Sequence, residues 1–341
     1  MAGENDDVLG REVAIKAHMD ATGLSVSAKS RLLAAIDRLA GSLFDWPAAA
    51  MEGLAAKRRL KDRIERELLE AEGHIAARRP EFGETAQGAL LLEADKEAVR
   101  RQLNKSAVAA ETVEALKLAP PAQSADGPGP HSGPDDVPDL DEDWLNAFAR
   151  YAEDASSEDL QRLWGRVLAG EVGQPGKFSR RTLRFIAELD KPSAADCEAV
   201  APFLVGDFIF RSGRWDSGDG LSLMLRLEEV GLVAGAGGTL HRKLTVDANG
   251  LVAQLGAKRA LLFRGTPGTV KELPALKVTR LGHEVFSLLK PADEDGLLKE
   301  IAAAVDKQGL TAIELGPFRL VETGGVQVYD ATLVWPAGAS G

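Results

Sequence analysis

The fold of this chain is decided by residues 143–189, which read DWLNAFARYAEDASSEDLQRLWGRVLAGEVGQPGKFSRRTLRFIAEL. The stretch opens with apolar side chains that recur at helical spacing, namely Trp144, Leu145, Phe148 and Tyr151. Because residues four apart lie on the same face of a helix, Trp144 and Phe148 predict a helix that buries an aromatic face.

Two further helices are predicted in the same stretch. The run Ser-Ser-Glu-Asp at residues 156–159 is a capping box, which begins an amphipathic helix. Pro175-Gly176 predicts a turn, and Ser179 then caps the next helix, which starts at Arg180. Short helices spaced so closely predict a small helical bundle over residues 144–205.

The predicted structural core of this bundle is mainly apolar and consists of Trp144, Phe148, Leu163, Trp164, Leu168 and Leu183. Arg181 is added to this set because it lies about 100° from Arg180 around the helix, nearer the contact with the other helices. We expect its guanidinium to pair there with Glu171 or Asp190. Both tryptophans fall on apolar stripes, so we expect them to pack in the core and not to stack on a ligand.

Several short runs in this region are similar to those of a known family. They are Asp143-Trp144, Phe148, Ala152, Leu163-Trp164, Leu168-Ala169-Gly170-Glu171, Pro175-Gly176, Phe178-Ser179 and Arg181-Thr182-Leu183. In these residues the chain resembles the bacterial "domain of unknown function 2806" family, with the resemblance extending over residues 100–290. The resemblance implies a bacterial intracellular protein and brings no activity with it.

The N-terminal part, residues 1–118, is predicted to be a helical assembly domain. One helix is expected over residues 25–43, and two longer helices over residues 45–79 and 84–118. The run from Pro80 to Gly83 separates the two long helices, which therefore predict an antiparallel hairpin. Such a hairpin buries its apolar stripes on one side only, so we expect it to self-associate or to dock on the rest of the chain.

Residues 119–143 are predicted to be an acidic linker rich in proline and glycine. They hold seven acids and no lysine or arginine, and so carry most of the net charge of −11. Nine prolines and glycines between Pro120 and Pro138 forbid regular structure. The chain on either side is nearly neutral and offers no general basic field for nucleic acid.

The C-terminal part, residues 206–341, changes to short strands separated by glycines. The strand-like runs are Asp207–Arg211, His241–Asp247, Leu251–Leu255, Arg259–Arg264, Thr269–Leu273, Arg319–Glu322 and Val326–Trp335. Around residues 227–233 and 278–284 this part resembles a winged helix. The helix in the recognition position carries Arg226 against two glutamates, which disfavours DNA binding because DNA affinity rests on neutralising phosphates.

The predicted fold class is therefore mainly α with a smaller α+β part. It comprises a long N-terminal helical hairpin, a small helical bundle and a winged-helix-like C-terminal domain. Aromatic residues make up only 5% of the chain, so we expect its cores to be built chiefly from leucine, alanine and valine.

The motif search favours no enzyme class, and no cofactor is predicted. The five histidines are scattered, and none lies within five residues of another or of the single cysteine, Cys197, so no metal site is predicted. Asp196 and Glu198 flank Cys197 and would raise its pKa, which disfavours a nucleophile. Strand residues follow Gly235 to Gly238, so we expect a loop between strands there and not a phosphate cradle.

One constellation of basic residues suits an anion. Lys177, Arg180 and Arg184 lie around the start of a helix, and Arg162 and Arg166 project from the preceding helix. Helix N-termini and arginines both suit phosphate groups, so these five residues are the candidate anion or nucleic-acid contacts. The alternative is that the arginines only lock the helices together through internal ion pairs.

These observations favour a non-enzymatic interaction or regulatory protein of the bacterial cytoplasm. It would self-associate through its N-terminal helices and bind an unidentified protein partner through its C-terminal half. The alternative is a nucleic-acid-binding protein that uses the cluster Lys177–Arg184, and a weaker one is an enzyme with a scattered site. No stretch approaches the ~18 apolar residues of a membrane helix, and the first residues lack a secretion signal, so no membrane partner is expected.

Overall fold

The computed structural model describes the chain in several stretches and divides it into two compact units. The described residues are 26–40, 86–118, 139–289, 293–321 and 325–336, with single positions at 66, 70, 73 and 77. The first unit, Met1–Ala187, is helical where it is described, and the second, Glu188–Gly341, holds all the described strands.

Five helices with described bounds form the first unit: α1 Val26–Ala40, α2 Ala86–Leu118, α3 Glu142–Ala152, α4 Glu158–Gly173 and α5 Arg180–Ala187. Helix α2 packs mainly along α4, and α1 contacts both of them. Residues buried in this unit include Val108, Ala109, Val113, Val167 and Val172. Small aliphatic side chains therefore bring these helices close together.

Side chains cap the last three of these helices. Asp141 caps α3, with 2.7 Å between its carboxylate oxygen and the backbone nitrogen of Trp144. Ser157 caps α4 and Ser179 caps α5 in the same way, each at 3.3 Å from the nitrogen three residues later. The sequence predicted the cap at Ser179 and a helix start within residues 156–159, where Ser157 is the cap. Each serine satisfies an N–H that the helix itself leaves unpaired.

The second unit combines helices with two sheets. Its helices are α6 Lys191–Val200, α7 Gly218–Glu229, α8 Arg280–Phe286 and α9 Glu294–Ala304. Its strands are β1 Leu204–Val205, β2 Phe208–Phe210, β3 Val233–Ala234, β4 His241–Thr245, β5 Leu251–Leu255, β6 Arg259–Gly265, β7 Val270–Val278, β8 Leu310–Leu320, β9 Val326–Val328 and β10 Thr332–Pro336.

Strand β7 is the centre of the first sheet. It pairs antiparallel with β2, β3 and β4, and β1 continues the sheet beyond β2. The register sets Ile209 opposite Leu276 and Leu244 opposite Lys271. Lys271 is buried, and its ammonium lies 2.8 Å from the carboxylate of Asp306. The carboxylate compensates the buried positive charge.

The second sheet has the strand order β10-β8-β6-β5, all antiparallel, and β9 pairs with the far end of β8. Helix α9 packs against β6, β8 and β10. The core between them is apolar and contains Leu261, Phe263, Leu298, Ile301, Ile313 and Leu315. One side of the sheet is therefore buried, and β10 forms one of its edges.

The prediction of a mainly α protein with a smaller α+β part was wrong. Two five-stranded antiparallel sheets make the fold mixed α/β. This arrangement does not confirm the winged-helix resemblance of the C-terminal part, because a winged helix is built around a single small sheet. The long strand β8 contributes most to the difference, since only its last two residues fell within a predicted strand.

The N-terminal predictions fall partly outside the described residues. The helices expected over residues 25–43 and 84–118 are present as α1 and α2. The long helix expected over residues 45–79, apart from single positions, and the linker over residues 119–138 lie outside the described part of the chain.

Candidate functional site

The aromatic side chains of residues 143–189, which we call the family-like stretch, pack as one group. Trp144 stacks on Phe148 with 5.2 Å between the ring centroids, and Phe148 meets Trp164 edge-on at 5.5 Å. Tyr151 stacks on Trp164, with 5.8 Å between the ring centroids. Trp144, Phe148 and Trp164 are all buried, so these rings serve packing and are closed to a stacking ligand.

A set of buried contacts, which we call the loop lock, holds the loop between α4 and α5. Trp144 donates through Nε1 to the carbonyl oxygen of Phe178 at 2.7 Å. The buried carboxylate of Glu171 accepts the backbone N–H groups of Gly176 at 2.6 Å and of Phe178 at 2.9 Å. A Cβ on Gly170 would lie 2.6 Å from the Phe178 ring, so a glycine lets the ring close over α4. The loop lock gives a structural role to residues that carry the family resemblance.

Helix α4 also touches α2 at close range through Gly165. A Cβ at this position would lie 2.6 Å from Cβ of Glu111 and 2.9 Å from the backbone nitrogen of Thr112. A side chain there would force the two helices apart. Gly165 therefore sets the distance between α2 and α4.

Arg31 is a structural residue that the sequence analysis missed. It is buried on α1 and donates through Nε to the carbonyl oxygen of Val172, 2.9 Å away at the end of α4. Burial lowers the pKa of this guanidinium, against the opposing charge of Asp139. Arg31 has no local signal that separates it from other helical arginines, because its role depends on a residue far along the chain.

The predicted anion contacts on α4 and α5 lie at the surface. Arg162 pairs with Asp159 at 2.7 Å on its own helix, and Arg180 lies 3.7 Å from Asp143 near the start of α3. Arg166 and Arg184, which complete the predicted arginines, are exposed. Acids therefore stand beside two of these cations and reduce the positive field that a nucleic acid would meet.

Lys177 is held by the loop lock. Its Nζ lies 5.2 Å from the centroid of the Phe178 ring, a cation–π distance. Burial lowers the pKa of Lys177, and the charge of Glu171 partly opposes the shift. Lys177 is therefore half-buried over an aromatic ring, whereas the four predicted arginines are exposed.

The prediction that Arg181 belongs to the structural core was wrong. Arg181 is exposed on α5, whereas its neighbours Thr182 and Leu183 are buried. The carboxylate of Glu171, proposed as its partner, faces backbone N–H groups of the loop lock. Of the remaining predicted core residues, Leu168 is buried and Leu163 is half-buried.

No group of three or more histidine, cysteine, aspartate or glutamate side chains able to hold a metal occurs within the described residues. Cys197 is buried, and desolvation, with the charges of Asp196 and Glu198, raises its pKa to about 12. A thiol with so high a pKa is a poor nucleophile. His131 lies outside the described part of the chain.

The glycine-rich loop between β3 and β4 binds the guanidinium of Arg211. Arg211 donates through Nη1 to the carbonyl oxygens of Gly235 and Gly238. On the other side, the carboxylate of Glu228 accepts the N–H of Gly235 at 2.6 Å. A phosphate cradle needs free N–H groups turned inward, so this loop has the opposite polarity.

Four exposed apolar side chains lie along the pairing of β8 with β9 and β10, from Leu320 opposite Val326 to Leu333 opposite Glu314. Leu320, Val326, Tyr329 and Leu333 are 66%, 37%, 45% and 58% exposed. We call these four residues the apolar edge. Leu320 and Val326 are directly opposite each other in the β8–β9 pairing and so share one face of the hairpin.

The backbone at this edge is open for pairing at Leu333. The carbonyl oxygens of Pro317 and Leu315 point towards the returning strand, where they accept from Tyr329 N and Thr332 Oγ1. Backbone directions alternate along an antiparallel ladder, so the residue between Leu315 and Ile313 turns the other way, towards β6. Leu333, opposite that residue, therefore directs its own N–H and C=O away from β8, to the side on which no described strand pairs with β10.

The fold and these surfaces define a mixed α/β protein with a helical unit closed by a buried lock and a sheet unit with an apolar edge. None of the helices in the described stretches has the length and apolarity needed to cross a bilayer. Over residues 132–205 the chain matches the model of a family described as "Protein of unknown function (DUF2806)". The matched residues include the whole loop lock. No curated protein and no solved structure matches the chain.

Proposed function

We propose that this protein is a non-enzymatic interaction or regulatory protein whose C-terminal unit binds a protein partner through the apolar edge. One observation carries the proposal. Nine large apolar side chains are exposed among the described residues, and four of them fall within residues 320–333. Of the other five, Leu225 and Val230 lie on α7 and its C-cap, and Leu160, Leu240 and Val270 lie on separate elements. Clustered exposed apolar residues are typical of interaction sites, whereas single ones are ordinary.

The surroundings of the apolar edge support a protein partner over a nucleic acid. Between Gly325 and Pro336 the only charged residue is Asp330. Nucleic-acid surfaces depend on several lysines and arginines, whereas the one cation described beside this edge, Arg319, donates to Gln327 at 2.8 Å. A surface poor in charge that carries a tyrosine and aliphatic side chains is typical of the buried centre of a protein interface.

Self-association through the N-terminal helices remains part of the proposal. Val99 and Leu103 are apolar residues four positions apart on α2, and both are only half-buried. Covering such a stripe with a second helix would remove apolar area from water.

Nucleic-acid binding is the second candidate function, favoured by the exposure of Arg180, Arg181 and Arg184 on one short helix. This candidate concerns the first unit and is independent of the apolar edge. Its contacts would be electrostatic and would therefore weaken steeply with salt.

The proposed function is tested with two matched triple variants of the full chain. The edge variant carries Leu320→Ser, Val326→Ser and Leu333→Ser. The control variant carries Leu225→Ser, Leu240→Ser and Val270→Ser, which change equally exposed apolar residues elsewhere in the same unit. Each protein is cross-linked in lysate of the native host, and any captured protein is then purified.

Binding of the purified candidate to each variant is measured by calorimetry. We expect the wild type and the control variant to bind alike and the edge variant to bind at least ten-fold more weakly. A candidate that binds all three equally, or a lysate in which nothing depends on the apolar edge, contradicts the proposed function.

A further inference from the structure

We propose that Asn249 is a modification site, where the backbone nitrogen of Gly250 displaces the side-chain amide and so changes the turn between β4 and β5 irreversibly. This inference is independent of the apolar edge and of any partner. It rests on the one Asn-Gly pair of the chain and on the hydrogen bonds that surround this pair.

The turn exposes an asparagine that precedes a glycine. The chain has four asparagines, and only Asn249 is followed by glycine. Asn249 is exposed to solvent. Because glycine has no side chain to shield its backbone nitrogen, this nitrogen can approach the side-chain carbonyl carbon of the residue before it. Asn249 is therefore the asparagine of this chain best placed to react.

The fold itself requires the glycine that makes Asn249 reactive. Gly250 has a positive φ of 77°, a conformation that favours glycine. A Cβ at this position would lie 3.0 Å from the carbonyl oxygen of Gly265, and the N–H of Gly265 donates to the carbonyl oxygen of Gly250 at 3.0 Å. A bulkier residue, which would shield the attacking nitrogen, is thus disfavoured both by the backbone conformation and by the close approach of β6.

The reaction needs only water as a co-reactant. The nitrogen of Gly250 loses its proton and bonds to the side-chain carbonyl carbon of Asn249, whose bond to Nδ2 breaks, so that ammonia leaves. Water then opens the five-membered imide ring at one of its two carbonyl carbons. Opening at the former side-chain carbon gives aspartate, and opening at the backbone carbon gives isoaspartate. One water is consumed, one ammonia is released, and nothing is oxidised or reduced.

The carboxylate of Asp247 restrains this reaction in the folded protein. Its Oδ1 accepts the N–H groups of Asn249 and Leu251, each at 2.9 Å, and its Oδ2 lies 3.4 Å from Nδ2 of Asn249. The N–H of Gly250 donates to the backbone carbonyl oxygen of Asp247 at 3.0 Å. The attacking nitrogen is therefore occupied until the turn opens locally, which makes the reaction slow but does not prevent it.

Both products weaken the turn. Aspartate at position 249 replaces an amide donor by a second negative charge beside Asp247, and like charges at this range repel each other. Isoaspartate adds one carbon to the backbone before Gly250 and so displaces the N–H that bonds to Asp247. The turn connects β4 of the first sheet to β5 of the second sheet. The modification therefore loosens a connection between the two sheets.

The first test ages the folded, full-length protein and follows each asparagine by mass spectrometry of its peptides. Wild type is kept in mildly alkaline buffer for several weeks and sampled at intervals. We expect aspartate and isoaspartate to accumulate at Asn249 and not at Asn146, an exposed asparagine within helix α3 that precedes alanine. The aged wild type should also melt at a lower temperature than the fresh protein.

Two variants at the same position test the consequence for the turn. Asn249→Asp carries the new charge from the start, so it should melt below fresh wild type. Asn249→Gln keeps a neutral amide, and its longer side chain closes a ring far more slowly. The melting temperature of the glutamine variant should therefore not change with age.

Asp247→Ala tests the restraint. Without the carboxylate the turn should open more often, so we expect Asn249 to convert at least about three-fold faster than in folded wild type. Circular dichroism checks that the variant folds. Wild type in denaturant gives the unrestrained rate without any substitution and should also exceed the folded rate.

Folded wild type in which Asn249 stays intact while the denatured chain converts overturns the inference. Equal conversion at Asn146 overturns it too, because the reaction would then not depend on Gly250. A folded Asp247→Ala variant that converts no faster than wild type contradicts the restraint by the carboxylate. Aged wild type that contains the products and melts like the fresh protein contradicts the loosening of the turn.

Discussion

Trp144 and Phe178 are joined by a hydrogen bond of 2.7 Å between the indole Nε1 and the backbone carbonyl oxygen, across 34 residues of sequence. The N–H of the same Phe178 is bound by the carboxylate of Glu171. Both polar backbone groups of a buried residue are thus satisfied by side chains from two different helices. Such pairing is required because an unpaired buried backbone group is costly.

Replacing Trp144 by phenylalanine tests this relationship. Trp144→Phe keeps an aromatic ring but leaves the carbonyl of Phe178 without its donor, so we expect a loss of stability of about 1–3 kcal/mol. Hydrogen exchange measured by mass spectrometry should show faster exchange in peptides spanning the loop lock. Tyr151→Phe, which alters the same aromatic group without touching this bond, is the control. Equal exchange in both variants would show that the bond does not hold the loop.

The close approach of α2 and α4 gives a paired glycine test. Gly165→Ala places a Cβ within 2.9 Å of three atoms of Glu111 and Thr112, so we expect overpacking to lower stability by about 1–3 kcal/mol. Gly173→Ala, in the same helix, meets nothing within 4 Å. Because alanine favours a helix over glycine, the second variant should be neutral or slightly more stable. Thermal unfolding of both proteins measures the difference, and similar melting temperatures would contradict the predicted contact.

The basic residues of α5 predict different outcomes for binding and for stability. Arg181 is exposed, so Arg181→Ala should change stability by no more than about 0.5 kcal/mol. If nucleic acid is a ligand, Arg180→Glu combined with Arg184→Glu should abolish low-salt binding of labelled DNA and RNA. Leu160→Ser, at another exposed position of this unit, is the control. Wild-type protein that fails to bind at low salt would remove the nucleic-acid alternative.

The ion pair of Lys271 and Asp306 predicts a pH dependence. The hydrogen bond from Lys271 holds the pKa of Asp306 below its ordinary value of 3.8. A lowered pKa in the folded state adds stability above that ordinary value, and this stability is lost as the pH falls through the lowered pKa. Asp306→Asn should therefore lower the melting temperature at pH 7, since it also leaves a buried ammonium without its counter-charge.

The difference between wild type and Asp306→Asn should shrink as the pH approaches 3. Glu198→Gln, which changes an exposed acid on α6, should show no comparable trend. Melting curves collected between pH 3 and pH 7 measure both. A difference that stays constant over this range would mean that the carboxylate of Asp306 does not stabilise the fold through its charge.

The helices of the family-like stretch could be predicted because their signals are local. The capping box at residues 156–159 and the serine at 179 lie within one turn of the N–H groups that they bind. The aromatic face of α3 follows from a spacing of four residues. Such interactions need no knowledge of distant parts of the chain.

The two sheets could not be predicted in the same way, because their strands pair with residues that lie far away in the sequence. Strand β6 sets Arg264 opposite Ala312, and no local pattern connects these positions. No strand was predicted over residues 310–318 of β8, which include Gly316 and Pro317. The structure places them opposite the irregular stretch around Asp330, where a missing N–H and a missing side chain are tolerated.

The misplaced Arg181 shows a similar limit. Helical geometry fixed its angle relative to Arg180, but it did not fix which neighbouring helix would cover that side. Glu171 was taken by backbone N–H groups that the turn at Gly176 brought within reach. A buried carboxylate accepts backbone donors as readily as an arginine, so the sequence left the choice open.

The burial of Cys197 has a consequence for redox behaviour. With a pKa of about 12, the thiolate is on the order of 10⁻⁵ of the thiol at pH 7. Peroxides and disulfides react with the thiolate and need access to the sulfur, so this side chain is shielded from oxidation on both counts. The chain has no other cysteine. A change between oxidising and reducing conditions should therefore leave its thiol chemistry unchanged.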